Sequence, residues 1–252
     1  MTRRRARHDD QLTVVEHLDE LRTRIVVSVA VLVVATALCF WQDTLLLELA
    51  NRPLPGTREP ITLGVTEPFF TTVKLSIYGG LLLALPILLY QVYAYLLPAL
   101  RPREKRIVFP LILSVPFLFV AGAVFAYVVV MPPALDFLLG FNADDFEIEV
   151  RASEYYGFFV LTLISVGILF QIPVGTLAVT RLGIVTPDQL ASNRRYAVLG
   201  IAVAAMLLPG TDPVTMLLAM APLYALFELS IVLARVFGRP SALVDPAPGP
   251  AG

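Results

Sequence analysis

Two carboxylates in otherwise basic surroundings are the side chains best placed to do chemistry. Glu20 lies in His17-Leu18-Asp19-Glu20-Leu21-Arg22, and Glu104 lies in Pro98-Ala99-Leu100-Arg101-Pro102-Arg103-Glu104-Lys105-Arg106. A carboxylate accepts the planar fork of a guanidinium through two parallel hydrogen bonds, which the point charge of an ammonium cannot reproduce. Two such carboxylates facing one groove would select a ligand bearing paired arginines. The simpler reading is local ion pairing, Glu20 with Arg24 one helical turn on and Glu104 with its flanking bases. Such pairs are common at exposed sites and stabilise little. Spacing leaves both readings open. Other chemistry finds little material: His8 and His17 are the only histidines and Cys39 the only cysteine. A zinc or haem site has no ligand set, no cofactor is implied, and no internal disulfide can form. Gly-x-Ser-x-Gly, His-Glu-x-x-His and a phosphate loop are all missing, which argues against an enzyme.

The elements that position the carboxylates follow from hydropathy. Of 252 residues, 57% are hydrophobic and 15% charged, whereas a soluble domain carries about 25% charged residues. The chain therefore reads as an all-α, polytopic membrane protein. Its net charge of −1 gives no reason to expect nucleic acid as a partner. A spanning helix needs roughly 20 apolar residues. Charge-free runs extend over Ile25–Gln42, Leu75–Leu100, Ile107–Leu135 and Tyr155–Thr180. Two shorter runs, Tyr196–Leu208 and Val214–Phe227, flank Pro209-Gly210-Thr211-Asp212-Pro213, a strong turn signature. The expectation is six membrane helices with the last two short, at about 25–42, 75–98, 107–131, 156–180, 196–208 and 214–233.

Orientation follows from Lys and Arg placement. With the N-terminus inside, 15 of the 19 basic residues fall on cytoplasmic segments, and Arg52, Arg58, Lys74 and Arg151 remain outside. Both termini are then cytoplasmic, and Glu20 and Glu104 share that side. Arg3-Arg4-Arg5 serves as a cytoplasmic anchor rather than a cleaved signal, since a polar stretch separates it from the first apolar run. Residues 1–24 form a cytoplasmic N-terminal segment, 25–234 the membrane domain and 235–252 a disordered tail rich in Pro, Ala and Gly. Within the first segment, Thr13-Val14-Val15-Glu16 fits a capping box, and Val14, Leu18, Leu21 and Ile25 form one apolar stripe. That stripe predicts a helix lying along the membrane surface before it turns into the first span. The outer loop Asp43–Thr72, with Pro53, Pro55, Pro60 and Pro68, is long enough to pack as a structured cap.

Several stretches in family order resemble TatC, the polytopic receptor subunit of the twin-arginine protein translocase. They are His17-Leu18-x-Glu20-Leu21-Arg22, Pro68-Phe69-Phe70 with Lys74, and Leu88-Leu89-Tyr90-Gln91-Val92-Tyr93 continuing through Pro98-Ala99-Leu100 to Glu104. Phe125-Ala126-Tyr127, Phe170-Gln171-Ile172-Pro173-Val174, Gly183-Ile184 and Leu226-Phe227-Glu228 complete the set. The resemblance implies a glove-shaped helical fold in the plasma (inner) membrane that binds twin-arginine signal peptides of folded precursors. It implies assembly with single-span TatA/TatB-type subunits, contact with membrane lipids, and a homo-oligomer within a larger complex. By the same resemblance Glu20 and Glu104 contact the signal's arginines, with Arg22, Tyr95, Lys105 and Arg106 beside them. Tyr127, Gln171, Asp212 and Met216 match partner-docking positions of the concave face, and Pro53, Pro68, Phe69 and Phe70 belong to the outer cap. Two departures bear on this. Many relatives carry glutamate where Gln171 stands, and a family glutamine is replaced by Met216. The competing expectation is a secondary small-molecule transporter, which would need intramembrane charge and repeat symmetry that the spans lack.

Overall fold

Without water to bond to, a backbone in hydrocarbon satisfies its N–H and C=O groups only as a helix or a closed barrel, and the described residues of each charge-free run are mostly helical. The computed structural model of the chain describes residues 14–56, 59–96, 102–145, 148–181, 184–209 and 213–237. In chain order the helices are α1 (Val14–Trp41), α2 (Asp43–Asn51), α3 (Glu67–Leu96) and α4 (Pro102–Phe125). A π-helical turn, Ala126–Val130, joins α4 to α5 (Met131–Gly140). Then come α6 (Ala152–Leu169), α7 (Ile172–Arg181), α8 (Pro187–Ser192), α9 (Arg194–Met206) and α10 (Pro213–Phe237). Five helical stretches are long and apolar enough to cross a membrane: Leu18–Trp41, Glu67–Tyr95, Leu113–Gly140, Ala152–Thr180 and Pro213–Val236.

Several sequence-based boundaries need correcting. The expected surface helix is not a separate element: α1 runs unbroken from Val14 through the first span, because no proline or glycine lies between Val14 and Trp41 to turn it. The second span begins at Glu67 rather than 75, since Glu67 sits in the first helical turn, where a carboxylate suits the positive end of the helix dipole. The third extends from Pro102 to Gly140 through the π turn. Pro132 and Pro133 cannot donate there, and ahead of them Met131 N–H bonds Ala126 O, five residues back. The fourth, expected as one helix over 156–180, breaks between Leu169 and Ile172, where Pro173 leaves Leu169 O without its usual donor. Of the last pair only α9 is short, at 13 residues. The last helix has 25 residues and continues past Pro222 and Glu228 to Phe237. The predicted terminal segments 1–13 and 238–252 and the turn at 210–212 lie outside the described residues.

The helices differ sharply in how much they bury. In the α6–α7 span 61% of the most apolar window is buried, against 6% in α1. The first is therefore the centre of the bundle, and α1 is a peripheral helix resting on α3. Without a hydrophobic driving force between helices in lipid, close approach depends on small residues. A Cβ on Gly80 would meet Thr36 Cα at 2.5 Å, so α3 touches the α1 backbone directly. A Cβ on Gly122 would meet Gly167 Cα at 2.9 Å, so α4 also approaches the α6 backbone closely. The core proper gathers Tyr155, Tyr156, Phe159, Val160 and Leu163 of α6 with Leu75, Ala126 and Met131.

The described residues of the loop expected to form a cap, 43–56 and 59–72, are structured, as its length suggested. The loop contains α2, and its later part pairs with the segment leading into α6: Ile61 N–H bonds Val150 O at 2.8 Å, and Ala152 N–H bonds Ile61 O at 2.9 Å. Glu67 completes the latch. Its Oε2 accepts the Leu63 and Gly64 amides at 2.7 and 3.2 Å, and its Oε1 accepts Arg151 Nε at 2.8 Å and Ser153 Oγ at 2.9 Å. Hydrogen bonding to Glu67 raises the Arg151 guanidinium above its ordinary value.

Candidate functional site

Glu20 and Arg24 stand four residues apart on α1 and so share a face. Arg24 donates from Nε at 3.0 Å and from Nη2 at 2.6 Å, both to Glu20 Oε1. The same guanidinium reaches across to α3: Nη1 donates to Gln91 Oε1 at 2.9 Å, and Nη2 to Ala94 O at 3.3 Å. The ion pair is half-sheltered, with 24% of the Arg24 side chain and 25% of the Glu20 side chain exposed. Arg24 thus fixes Glu20 against the last turns of α3. The ion-pair reading of Glu20 is realised, and it also demonstrates that this carboxylate accepts a guanidinium.

The chain brings the second carboxylate to the same end. After α3 ends at Leu96, α4 begins at Pro102 and carries Glu104, Lys105 and Arg106 in its first turns. The negative end of the α3 dipole and the positive end of α4 therefore lie close in sequence, with Glu104 where a carboxylate suits a helix start. The side chains of Glu104, Lys105 and Arg106 lie outside the described residues. Tyr95, half-buried in the last turn of α3, is a sequence neighbour of the Ala94 carbonyl that binds Arg24.

Arg22 is placed differently. Two residues from Glu20 on a helix of 3.6 residues per turn, it points away from the Glu20–Arg24 face, and it is exposed beside a shallow pocket with Asp19, Thr23, Val26 and Val27. Spacing had paired Arg24 with Glu20, but Gln91 and the Ala94 carbonyl were missed as parts of the site. A signal for Gln91 existed, since it is the lone amide in the apolar stretch Leu88–Tyr93.

The expected partner-docking positions that the structure describes, Tyr127, Gln171 and Met216, lie on different elements. Gln171 is 7% exposed at the break between α6 and α7. Its Nε2 makes long bonds to Val115 O at 3.3 Å and Gly167 O at 3.4 Å, while Oε1 has no hydrogen-bond partner among the described residues. Tyr127 sits in the π turn and donates to Leu49 O at 3.0 Å, facing the cap. Met216 is half-buried in the first turn of α10, and Asp212 lies outside the described residues. In the cap, Pro53 occupies the turn after α2. Pro68, Phe69 and Phe70 form the first turn of α3, with both phenylalanine rings exposed and meeting edge-on at 5.5 Å.

At the start of α9, Arg194 grips Glu228 of α10 through two bonds, Nε to Oε1 at 2.6 Å and Nη2 to Oε2 at 3.0 Å. Tyr224 donates to the same carboxylate at 2.9 Å. Hydrogen bonding to Glu228 raises the Arg194 guanidinium. This clamp shows how Glu228 continues inside α10 without a bare charge, and it ties the short helix to the long one.

Comparison with known proteins bears on what this arrangement serves. The model of the family described as Sec-independent protein translocase protein (TatC) matches residues 16–222. The Sec-independent protein translocase protein TatC of Deinococcus radiodurans is 37% identical over 243 residues, covering 92% of this chain and 90% of its own. The chloroplastic protein of the same name from Arabidopsis thaliana is 37% identical over 234 residues, covering 92% of this chain and 68% of its own. A crystal structure of the twin-arginine translocase receptor TatC matches with a TM-score of 0.74 at 34% identity, covering 89% of this chain and all of that one.

Proposed function

The chain belongs to the TatC family of Sec-independent protein translocase proteins, and from that premise we propose that Glu20 and Glu104 receive the paired arginines of an export signal peptide. As a translocase subunit the chain is a transport component and not an enzyme, and family membership replaces the small-molecule transporter alternative. The observation that carries the recognition chemistry is Arg24 on Glu20: the carboxylate already holds a guanidinium at charge-assisted distance. A signal arginine offers the same donors in the same fork. Glu104, at the start of α4, supplies a second carboxylate on the same end, so that two adjacent arginines each find an acceptor. Lysine satisfies the charge but not the fork. Lys105 and Arg106 flank Glu104 and orient the loop, and Tyr95 offers an aromatic surface beside the site. Arg22, exposed on another face of α1, contacts the peptide away from its arginines.

This reading places both termini in the cytoplasm of a cell whose inner membrane the chain spans six times, on the positive-inside rule. Cytoplasmic placement lets both carboxylates meet a folded precursor before export. Single-span TatA/TatB-type subunits dock against the bundle, where Gln171, Met216 and Asp212 offer polar or deformable contacts. Further copies of the chain complete the assembly. At 1.5 Å per residue α9 reaches about 20 Å, short of about 30 Å of hydrocarbon, so that lipid thins or neighbours tilt around it. The test is site-specific crosslinking of a twin-arginine signal peptide to the full chain in membranes. Glu20→Ala and Glu104→Ala should each abolish the adduct, and an undiminished adduct in either variant removes that residue from the recognition site.

A further inference from the structure

The last carbonyls of α2 receive donors from outside their own helix. In a continuing helix, Leu49 O would accept from the amide of residue 53 and Ala50 O from that of residue 54. Residue 53 is Pro53, which has no N–H. Residue 54 precedes Pro55 and is pushed out of the helical region, and Leu54 N–H bonds Asn51 O at 3.0 Å instead. The Leu49 and Ala50 carbonyls are therefore deprived of helical donors by the two prolines. Each is met by a tyrosine hydroxyl from another helix: Tyr127 of the π turn donates to Leu49 O at 3.0 Å, and Tyr155 of α6 donates to Ala50 O in a buried bond. Tyr156, the next residue of α6, donates to Asn51 Oδ1 at 3.0 Å.

We propose that Tyr127, Tyr155 and Tyr156 are positioning residues that cap the C-terminus of α2 from outside and lock the outer cap onto α4 and α6, each hydroxyl answering an acceptor freed or presented by the Pro53–Pro55 turn. The arrangement is specific. Three hydroxyls from two spans converge on three consecutive residues, with Ala50 fully buried beneath them. The Tyr127 ring meets Phe159 edge-on at 6.0 Å, and the Tyr155 ring packs on the same phenylalanine at 6.2 Å, so α6 aims both phenols at the turn. The Tyr155–Ala50 bond is buried, where an unmet acceptor is expensive, whereas the Tyr127–Leu49 bond lies at the exposed edge of the turn. The proposal gives the Tyr127 hydroxyl an intramolecular role, beside the partner-docking position that the family resemblance implies for this residue. None of this depends on the recognition chemistry of Glu20 and Glu104.

The test is a double-mutant cycle on the full-length protein in lipid, read by amide hydrogen exchange of residues 43–56 with α3 as internal reference. Tyr127→Phe keeps the ring and its packing and should raise exchange in α2 about tenfold, leaving α3 unchanged. Pro53→Ala restores an N–H for Leu49 O, so in that background the effect of Tyr127→Phe should fall to within about twofold of none. The effect of Tyr155→Phe should persist there, because the N–H restored by Pro53→Ala lies one residue short of the donor that Ala50 O needs. An equal Tyr127→Phe effect in the wild-type and Pro53→Ala backgrounds, or a rise shared by α3, overturns the proposal. So does unchanged α2 exchange with reduced crosslinking to a single-span partner, which would return the Tyr127 hydroxyl to docking.

Discussion

Arg24 spans three acceptors on two helices, and this sets how Glu20 behaves. Both of its contacts to Glu20 use Oε1, while Nη1 is committed to Gln91. A lysine at this position has one nitrogen and cannot hold the carboxylate, the amide and the Ala94 carbonyl together. Arg24→Lys should therefore weaken signal-peptide binding several-fold while leaving the chain folded, and peptide titration at fixed salt measures it. Unchanged affinity would mean that Glu20 needs no bracing from α3. At this scale the sequence was partly legible. Glu20 and Glu104 stood out as carboxylates among bases, and Arg24 as a helical-spacing partner. Gln91 and the tyrosine hydroxyls on α2 were not readable, because they depend on contacts between residues 67, 78 and 105 positions apart.

Helices reach their partners here through close backbone approach. Gly80 is where α3 meets α1, with Thr36 Cα in the space a Cβ would need. Gly80→Val should force α1 off α3 and cost about 1–3 kcal/mol by overpacking. Because Arg24 bonds Gln91 across the same pair of helices, the variant should also lower signal-peptide crosslinking at the far end. Wild-type thermal stability and crosslinking in Gly80→Val would contradict the contact. Hydropathy located the five helical stretches long and apolar enough to cross a membrane, since lipid demands apolar surface over a fixed length. It misplaced the ends, because helices are ended by caps and prolines rather than by the first charge. Glu67 continues α3, Glu228 continues α10 once Arg194 and Tyr224 satisfy it, and the α6–α7 break carries no charge to announce it. Pro173 and the Pro132-Pro133 pair were the available signals for the two irregular turns.

Across the whole molecule, the buried α6–α7 span organises the rest. The cap latches onto the N-terminal end of that span through Arg151 and Ser153, and α1 hangs at the periphery beside α3. The proposed orientation puts the Glu20–Gln91 end in the cytoplasm and the α2 cap outside. In a Cys39→Ser background, single cysteines replacing Asn142 and Ser192 test it with an impermeant thiol reagent on intact cells. Asn142→Cys should label and Ser192→Cys should not, and the reverse pattern would invert the topology. The central claim is that a twin-arginine fork is read by carboxylates at that cytoplasmic end. Its most direct measurement is the affinity of the purified chain for a signal peptide carrying Arg-Arg against the same peptide carrying Lys-Lys. The account predicts binding at least about tenfold weaker for Lys-Lys, since two forked charge-assisted contacts are lost. Equal affinities would contradict it.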